Sequence, residues 1–261
     1  MPMKISIITV CKNAENAIET TLLSVVTQSC FAANIEYLII DGASTDNTAE
    51  IIKQYAGKYP IKWISEPDSG IYNAMNKAVK MTSGEIIYFL NAGDKLFDEK
   101  VISLVLKKFK KGDCDFLYTD ILSCDFHNLS KGSLKKFNHV DKYFLFHDCI
   151  CHQASFYKKN IIEKFGGFDE NFKLAADYEM LLKIMADKSL KKEYMPIISA
   201  YYDCNGVSSN KQLLWKEKNK IIKQNFTPFE IFKFRSKIYR LFRKTRATLE
   251  FFINQYRGSN D

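Results

Sequence analysis

Four aspartates in this chain stand where a folded protein could put them to chemical use. Asp94 closes Asn91-Ala92-Gly93-Asp94, directly after the apolar run 86 to 90. A carboxylate at the mouth of a buried strand suits Mg²⁺ or Mn²⁺, hard ions that prefer oxygen ligands and bridge protein to diphosphate; a turn that contains an Asp is the plainer reading. Asp177 opens Asp177-Tyr178-Glu179 after two small residues, Ala175 and Ala176. At a helix N-terminus the dipole favours its ionised form, so it is either a simple terminal charge or a base for an acceptor hydroxyl. Asp41 begins the segment 41 to 46 (DGASTD), which reads either as a capped turn or as a hydrogen-bond acceptor for a base or ribose. Asp68 lies in the segment 66 to 77 (EPDSGIYNAMNK). Capping explains Asp68 and Ser69 there, but not Asn73, Asn76 and Lys77, which a helix after Gly70 would carry to the same edge.

Other devices are missing from the sequence. There is no GxGxxG after the first strand, where Cys11-Lys12-Asn13 stands instead, and no GxxxxGK[ST], so a Rossmann dinucleotide site is weakened and a P-loop excluded. Segment 147 to 152 (HDCICH) does not have the separated Cys pairs of a structural zinc site and reads as a strand edge with one useful histidine. All five arginines (235, 240, 243, 246 and 257) lie near the C-terminus, so any phosphate site in the main body must use Lys, backbone N–H groups or a metal. The net charge of +8 is concentrated in the same place: residues 211 to 257 hold 13 Lys and Arg against 3 acids, and the first 210 residues are close to neutral. That distribution gives no reason to expect a nucleic-acid partner for the body.

The elements that would position these groups follow from apolar periodicity. Runs 4 to 10, 35 to 40, 61 to 64 and 85 to 90 read as buried strands, and 18 to 29, 48 to 59 and 72 to 80 as helices between them. Strands joined by crossover helices imply an α/β fold with parallel pairing, whose ligands sit beyond the carboxyl ends of the strands. Polar residues follow all four strands at that edge. Further along, a helix is expected over 101 to 110, a strand over 116 to 121, a loop-rich stretch to about 148, a strand over 153 to 157 and a helix over 177 to 186. Two short strands, 194 to 198 and 200 to 202, complete the body. From residue 211 the chain is helical and basic, broken at Thr227-Pro228. The expected division is therefore a domain of residues 1 to 210 and a tail of residues 211 to 261.

In that tail Phe229, Phe232, Ile238, Leu241, Phe242 and Phe252 alternate with Lys and Arg, a pattern that suits either an anionic membrane interface or packing on the body. Seven scattered cysteines and an N-terminus without a leader-like pattern point to the reducing cytoplasm, and the tail points to the inner face of the plasma membrane.

Taken in order, segments 5 to 14 (ISIITVCKNA), 38 to 48 (LIIDGASTDNT), 65 to 78 (SEPDSGIYNAMNKA), 83 to 94 (SGEIIYFLNAGD), 151 to 159 (CHQASFYKK), 166 to 183 (GGFDENFKLAADYEMLLK) and 205 to 209 (NGVSS) resemble glycosyltransferase family 2. The resemblance covers about residues 3 to 210. It implies a GT-A-type, Rossmann-like sheet that is mainly parallel and flanked by helices, an inverting transfer from a nucleotide-sugar donor, and a saccharide or lipid-linked acceptor in surface-polysaccharide synthesis. It implies that Asp41 holds the base and Asp68 lies near ribose and sugar, with Asn73, Lys77 and Asn91 also on the donor. Asp94 would bind Mg²⁺ or Mn²⁺ with His152 as a further candidate ligand, and Asp177 would be the catalytic base; Gln153 would line the site beside His152. The segment Asn91 to Asp94 carries one acid where the family motif has two, and Asn205-Gly206 stands where relatives have two glycines. A nucleotidyltransferase would need a Gly-rich loop after the first strand; a binding or scaffold protein on a transferase fold would have less reason to keep all four aspartates.

Overall fold

The computed structural model describes residues 3–112, 114–125, 128–203, 210–236 and 239. Asn205, Gly206, Ile238, Leu241, Phe242, Phe252 and the arginines at 240, 243, 246 and 257 lie outside these residues. The first half is the expected parallel layer. Strand β1 (Ile5–Cys11) is buried at every residue through Val10 and sits between two parallel neighbours, β2 (Ile35–Asp41) and β4 (Ile86–Phe89), with Ile5 opposite both Ile35 and Ile86. Strand β3 (Ile61–Ser65) adds parallel to β2. Helices α1 (Ile18–Val26), α3 (Thr48–Ala56) and α4 (Ile71–Met81) are the crossovers, and a short helix α2 (Phe31–Asn34) leads into β2. β-Branched runs buried on both faces are what a central parallel sheet requires.

After β4 the sheet changes direction. Short strand β5 (Lys95–Leu96) and helix α5 (Val101–Lys111) lead to β6 (Phe116–Asp125), β7 (Asn128–Lys135), β8 (Ser155–Lys158) and β9 (Lys192–Asp203). The order is β3-β2-β1-β4-β8-β6-β9-β5, with β7 paired to β6. Strand β8 runs antiparallel to both β4 and β6. Its start therefore lies at the carboxyl end of β4, which brings the residues just before it to the edge where the parallel strands finish.

Three expectations need correction here. The stretch from 122 to 148, expected to be loop-rich, contains β7 and helix α6 (Lys142–His147). The strand expected over 153 to 157 begins only at Ser155, because His152–Ala154 form a 3₁₀ turn. The two strands expected over 194 to 202 are one strand, β9, whose pairing with β6 jumps from Thr119–Met195 to Asp120–Ile198. Pro196 lies in that jump; having no N–H, it cannot continue the ladder, and the strand bulges rather than ending.

Two more helices complete the body, α7 (Lys159–Lys164) and α8 (Ala176–Ala186), and two follow it, α9 (Lys211–Asn225) and α10 (Pro228–Arg235). The break between the last two is where the sequence puts it: Thr227 and Glu230 form a reciprocal capping box with Pro228 in the first turn. Phe226 and Phe234 are buried against Phe146, and Tyr143 meets Phe234 edge-on. Lys142 pairs with Glu230 at 2.6 Å. Trp215, Phe229 and Phe232 are exposed. The described part of the tail is thus packed on the body through one side and presents aromatic rings on another.

Candidate active site

The loops after β1 and β2 are laced together by side chains. Asn13, at φ 49°, accepts through Oδ1 from Thr45 N at 2.8 Å, and its own N–H donates to Ser44 Oγ at 2.8 Å. Ala43 holds a φ of 56°, a left-handed angle that L side chains rarely adopt. Asp41 lies behind this rim, fully buried: Oδ2 accepts from Ser44 N at 3.1 Å and from Ser65 Oγ at 2.5 Å, and Oδ1 accepts from Ser44 Oγ. It braces the loop and presents no surface of its own. Asp68 Oδ1 accepts from Gly70 N at 2.9 Å, and a Cβ on Gly42 would stand 2.5 Å from Asp68 Oδ2, so the β2 and β3 loops approach as closely as a glycine allows.

Asn73 and Asn76 have structural partners. Asn73 Nδ2 donates to Glu170 at 2.9 Å, and Asn76 bonds Phe168 N, Phe168 O and Glu170, fastening α4 to the loop before α8. Lys77 pairs with Glu66. None of Asp41, Asp68, Asn73 and Lys77 lines the cavity in which the other four predicted residues meet.

That cavity, of about 330 Å³, is lined by Asn91, Asp94, His152 and Asp177, with Tyr72, Gln153 and Asp203 beside them. Gly93, at φ 100°, turns the chain after β4, and Asp94 N bonds back to Asn91 O at 3.0 Å. Asp94 is buried; Oδ2 accepts from Gln153 Nε2 at 2.6 Å and Oδ1 from Asp203 N at 3.0 Å. Burial disfavours its charge more than these two bonds favour it, and its pKa is pushed up to about 6. Asn91 Nδ2 lies 2.9 Å from His152 Nε2; with the amide as donor, the imidazole proton is on Nδ1, which faces Asp177 Oδ2 at 3.5 Å. Asp177 Oδ1 accepts from Tyr72 OH at 2.9 Å and from Tyr178 N at 2.8 Å. Burial alone would raise its pKa, but the bonds and charge of His152, with those from Tyr72 and the backbone, bring it below the usual carboxylate range. Two carboxylates in one cavity are thereby driven apart in acidity, the arrangement that assigns different roles to like groups.

The oxygen donors around Asp94 fit a hard divalent cation. Asn91 Oδ1 and Gln153 Oε1 are buried without a hydrogen-bond partner, and the Asp203 carboxylate lies 3.9 Å from where a Cβ on Gly93 would be. Among the described residues no three His, Cys, Asp or Glu side chains cluster as a metal cage, so such an ion would depend on carboxamide and substrate oxygens as well. His152 has both ring nitrogens engaged elsewhere.

Four residues here were not singled out from sequence. Asp203 ends β9, at the end of an expected strand, which was a readable signal. Tyr72 was inside an expected helix but had nothing to mark its hydroxyl. Glu217 and Lys218, on α9, gave no signal. Glu217 is buried and accepts from Lys173 N at 2.7 Å and Leu174 N at 2.9 Å, just ahead of Asp177. Glu217→Ala would leave two N–H groups unpaired, at a cost of about 2 kcal/mol or more; the expected result is a lower denaturation midpoint together with faster proteolysis around residue 173.

The sequence model of Glycosyl transferase family 2 matches residues 6–166. The chain belongs to glycosyltransferase family 2. Among family relatives, the PGL/p-HBAD biosynthesis glycosyltransferase of Mycobacterium bovis BCG is 27% identical over 208 residues, 78% of each chain. The uncharacterized glycosyltransferase YibD of Escherichia coli K12 is 33% identical over 95 residues, 36% of this chain and 27% of that one. Two solved structures share the fold. Staphylococcus aureus TarS 1-349 with UDP-GlcNAc superposes with a TM-score of 0.66 at 18% identity, over 78% of this chain and 59% of that one. The mannosyltransferase PcManGT of Pyrobaculum calidifontis with GDP-Man and Mn²⁺ gives 0.60 at 18%, over 84% and 61%. The family 2 chain is therefore a glycosyltransferase with the GT-A-type fold expected of it. No helix among the described residues of this family 2 chain is long and apolar enough to cross a membrane.

Proposed function

We propose that this glycosyltransferase transfers a sugar from a nucleoside-diphosphate sugar to a saccharide or lipid-linked saccharide in surface-polysaccharide synthesis, by a single displacement that inverts the anomeric carbon. The observation that carries the reading is the cavity with an ionised carboxylate, Asp177, at one end and a buried, oxygen-rich carboxylate site at Asp94 at the other. Asp177 takes the acceptor proton; Tyr72 and His152 hold the carboxylate in place. Asp94, with Asp203 and the Asn91 carboxamide, would hold Mg²⁺ or Mn²⁺, which when bound offsets the charge of the departing diphosphate. His152 could join that set only by giving up Asn91. Asp41 supports the base-binding rim from behind, and Asp68, closely packed on Gly42, would meet the ribose beside it. Asn73 and Lys77 keep α4 and its flanking loops in place around it.

The test is thermal stabilisation by a panel of UDP, GDP, dTDP and CMP sugars with and without Mn²⁺. One donor class should raise Tm by several degrees only when the metal is present. A flat response across the panel would favour a binding protein on a transferase fold.

The domain division at residue 210 we keep as a proposal with one change of emphasis, since α9 contributes Glu217 and Lys218 to the body. For the tail we propose contact with the cytoplasmic face of an anionic membrane through Phe229 and Phe232, which are 72% and 76% exposed on the basic helix α10. Truncation is a poor test because it also removes Glu217. The double substitution of Phe229 and Phe232 by Ser should instead reduce cosedimentation with anionic vesicles by about tenfold; undiminished binding would count against this surface.

A further inference from the structure

Three lysines from three parts of the chain line the cavity: Lys135 from the end of β7, Lys173 from the loop before α8, and Lys218 from α9. Lys218 Nζ lies 4.9 Å above the Tyr178 ring, and Lys173 Nζ donates to Ser69 O at 3.3 Å. Among the described residues neither Lys135 nor Lys218 pairs with a carboxylate, and Lys218 rests against an aromatic ring instead. The acids on this wall are accounted for. Asp148 Oδ1 accepts from Cys149 N at 2.8 Å, and Asp177 is held by Tyr72, Tyr178 N and His152.

Lys218 is tied to the Asp177 side by its contact with the ring of Tyr178, whose N–H donates to Asp177. Lys218 therefore marks the side of the base. Tyr202 lines the same cavity, half-buried, and is an aromatic surface of the kind that sugar rings stack on.

We infer that the acceptor carries a phosphate or diphosphate group and that Lys218, Lys135 and Lys173 bind it. A single carboxylate would leave two ammonium groups uncompensated, whereas a phosphate ester or diphosphate brings two or more negative charges to a cavity lined, among the described residues, by lysines and no arginine. The phosphate would fix the acceptor from behind while its hydroxyl meets Asp177. This rests on the transferase reading above for which end of the cavity is the acceptor's, and it deepens that reading by naming the acceptor's chemistry.

The test is isothermal titration of the full chain in EDTA, without nucleotide, using glucose 1-phosphate, glucose, glucuronate and farnesyl phosphate. Glucose 1-phosphate should bind, glucose should not, and Lys218→Gln and Lys135→Gln should each weaken the phosphate affinity about fivefold or more. Asp94→Asn should not weaken it. Farnesyl phosphate binding more tightly than glucose 1-phosphate would name a lipid-linked phosphate as the source; the reverse order would name a sugar phosphate within the glycan. Unchanged affinity in both lysine variants, or glucuronate binding as well as glucose 1-phosphate, would overturn the proposal. The donor panel with Mn²⁺, run on Lys218→Gln, separates the two readings. A lost donor response there, with wild type responding, would reassign the lysines to the donor diphosphate and overturn the inference; no response in wild type would strike at the transferase reading and leave the phosphate titration to be judged by itself.

Discussion

Asp177→Asn is expected to lower the transfer rate by about 10²-fold or more, equivalent to about 2.7 kcal/mol of transition-state stabilisation, with donor-induced stabilisation unchanged. The substitution is close to isosteric. Its Oδ1 can go on accepting from Tyr72 OH and Tyr178 N, so the local structure has little reason to move. What is lost is the site that receives the proton. Single-turnover measurement at saturating donor isolates the step; a variant retaining more than about a tenth of wild-type activity would remove Asp177 from the role of base. The pH profile adds a second check. The Asp177 pKa is held below the usual range, so its ionisation does not limit turnover between pH 5 and 8 on this account. The acid limb should come from Asp94, at about 6, and should show in the metal dependence rather than in turnover at saturating metal.

The second large effect runs against intuition: Asp94→Asn should make the metal-free protein more stable at pH 7.5. Asp94 has a folded pKa of about 6 against an ordinary value of 3.8, so the native state binds this proton more tightly than the unfolded chain. Stability contributed by the protonated form is therefore full below 3.8 and is lost as pH rises through 6. The loss amounts to about 3 kcal/mol. Asparagine cannot ionise and escapes it. Its Oδ1 can accept from Asp203 N, and rotation of the Gln153 amide would turn the unpaired Oε1 towards the new Nδ2. Calorimetry in EDTA should give the variant a higher Tm at pH 7.5, an advantage that shrinks as pH falls through 6 and is gone below about pH 3.8, whereas Mn²⁺ with the responding donor should reverse the order. A variant less stable than wild type at pH 7.5 in EDTA would mean that the two hydrogen bonds outweigh burial at this carboxylate.

Both predictions concern residues that the sequence alone could point to, and the reason is local. Asp94 and Asp177 follow directly from recognisable elements, a buried β-branched strand and a helix that starts after small residues. The same holds for β1 to β4, which are built mainly from β-branched and aromatic residues between polar turns. The hairpin of β6 and β7 was not legible, since its second strand (NLSKGSLK) is polar on both faces and carries no period of two. Helix α7, with six residues, is too short to show a helical repeat. Asn73 and Asn76 look like ligand groups because their partner, the loop from Phe168 to Glu170, is more than 90 residues away. Glu217 and Lys218 were invisible for the same reason: on α9 they look like two charges on a solvated helix, and only the tertiary arrangement puts one beneath Lys173 and Leu174 and the other above Tyr178.

The bonds from Glu217 to the backbone before Asp177 bear on how the protein is made. Synthesis proceeds from the N-terminus, so the loops after β1 to β3 can assemble while later residues are still being added. The segment just ahead of Asp177, by contrast, has two buried amides without acceptors until helix α9 has emerged. A nascent chain would thus settle the rim held by Asn13 and Ser44 before the cavity wall at Asp177, which closes only once α9 (Lys211–Asn225) has left the ribosome.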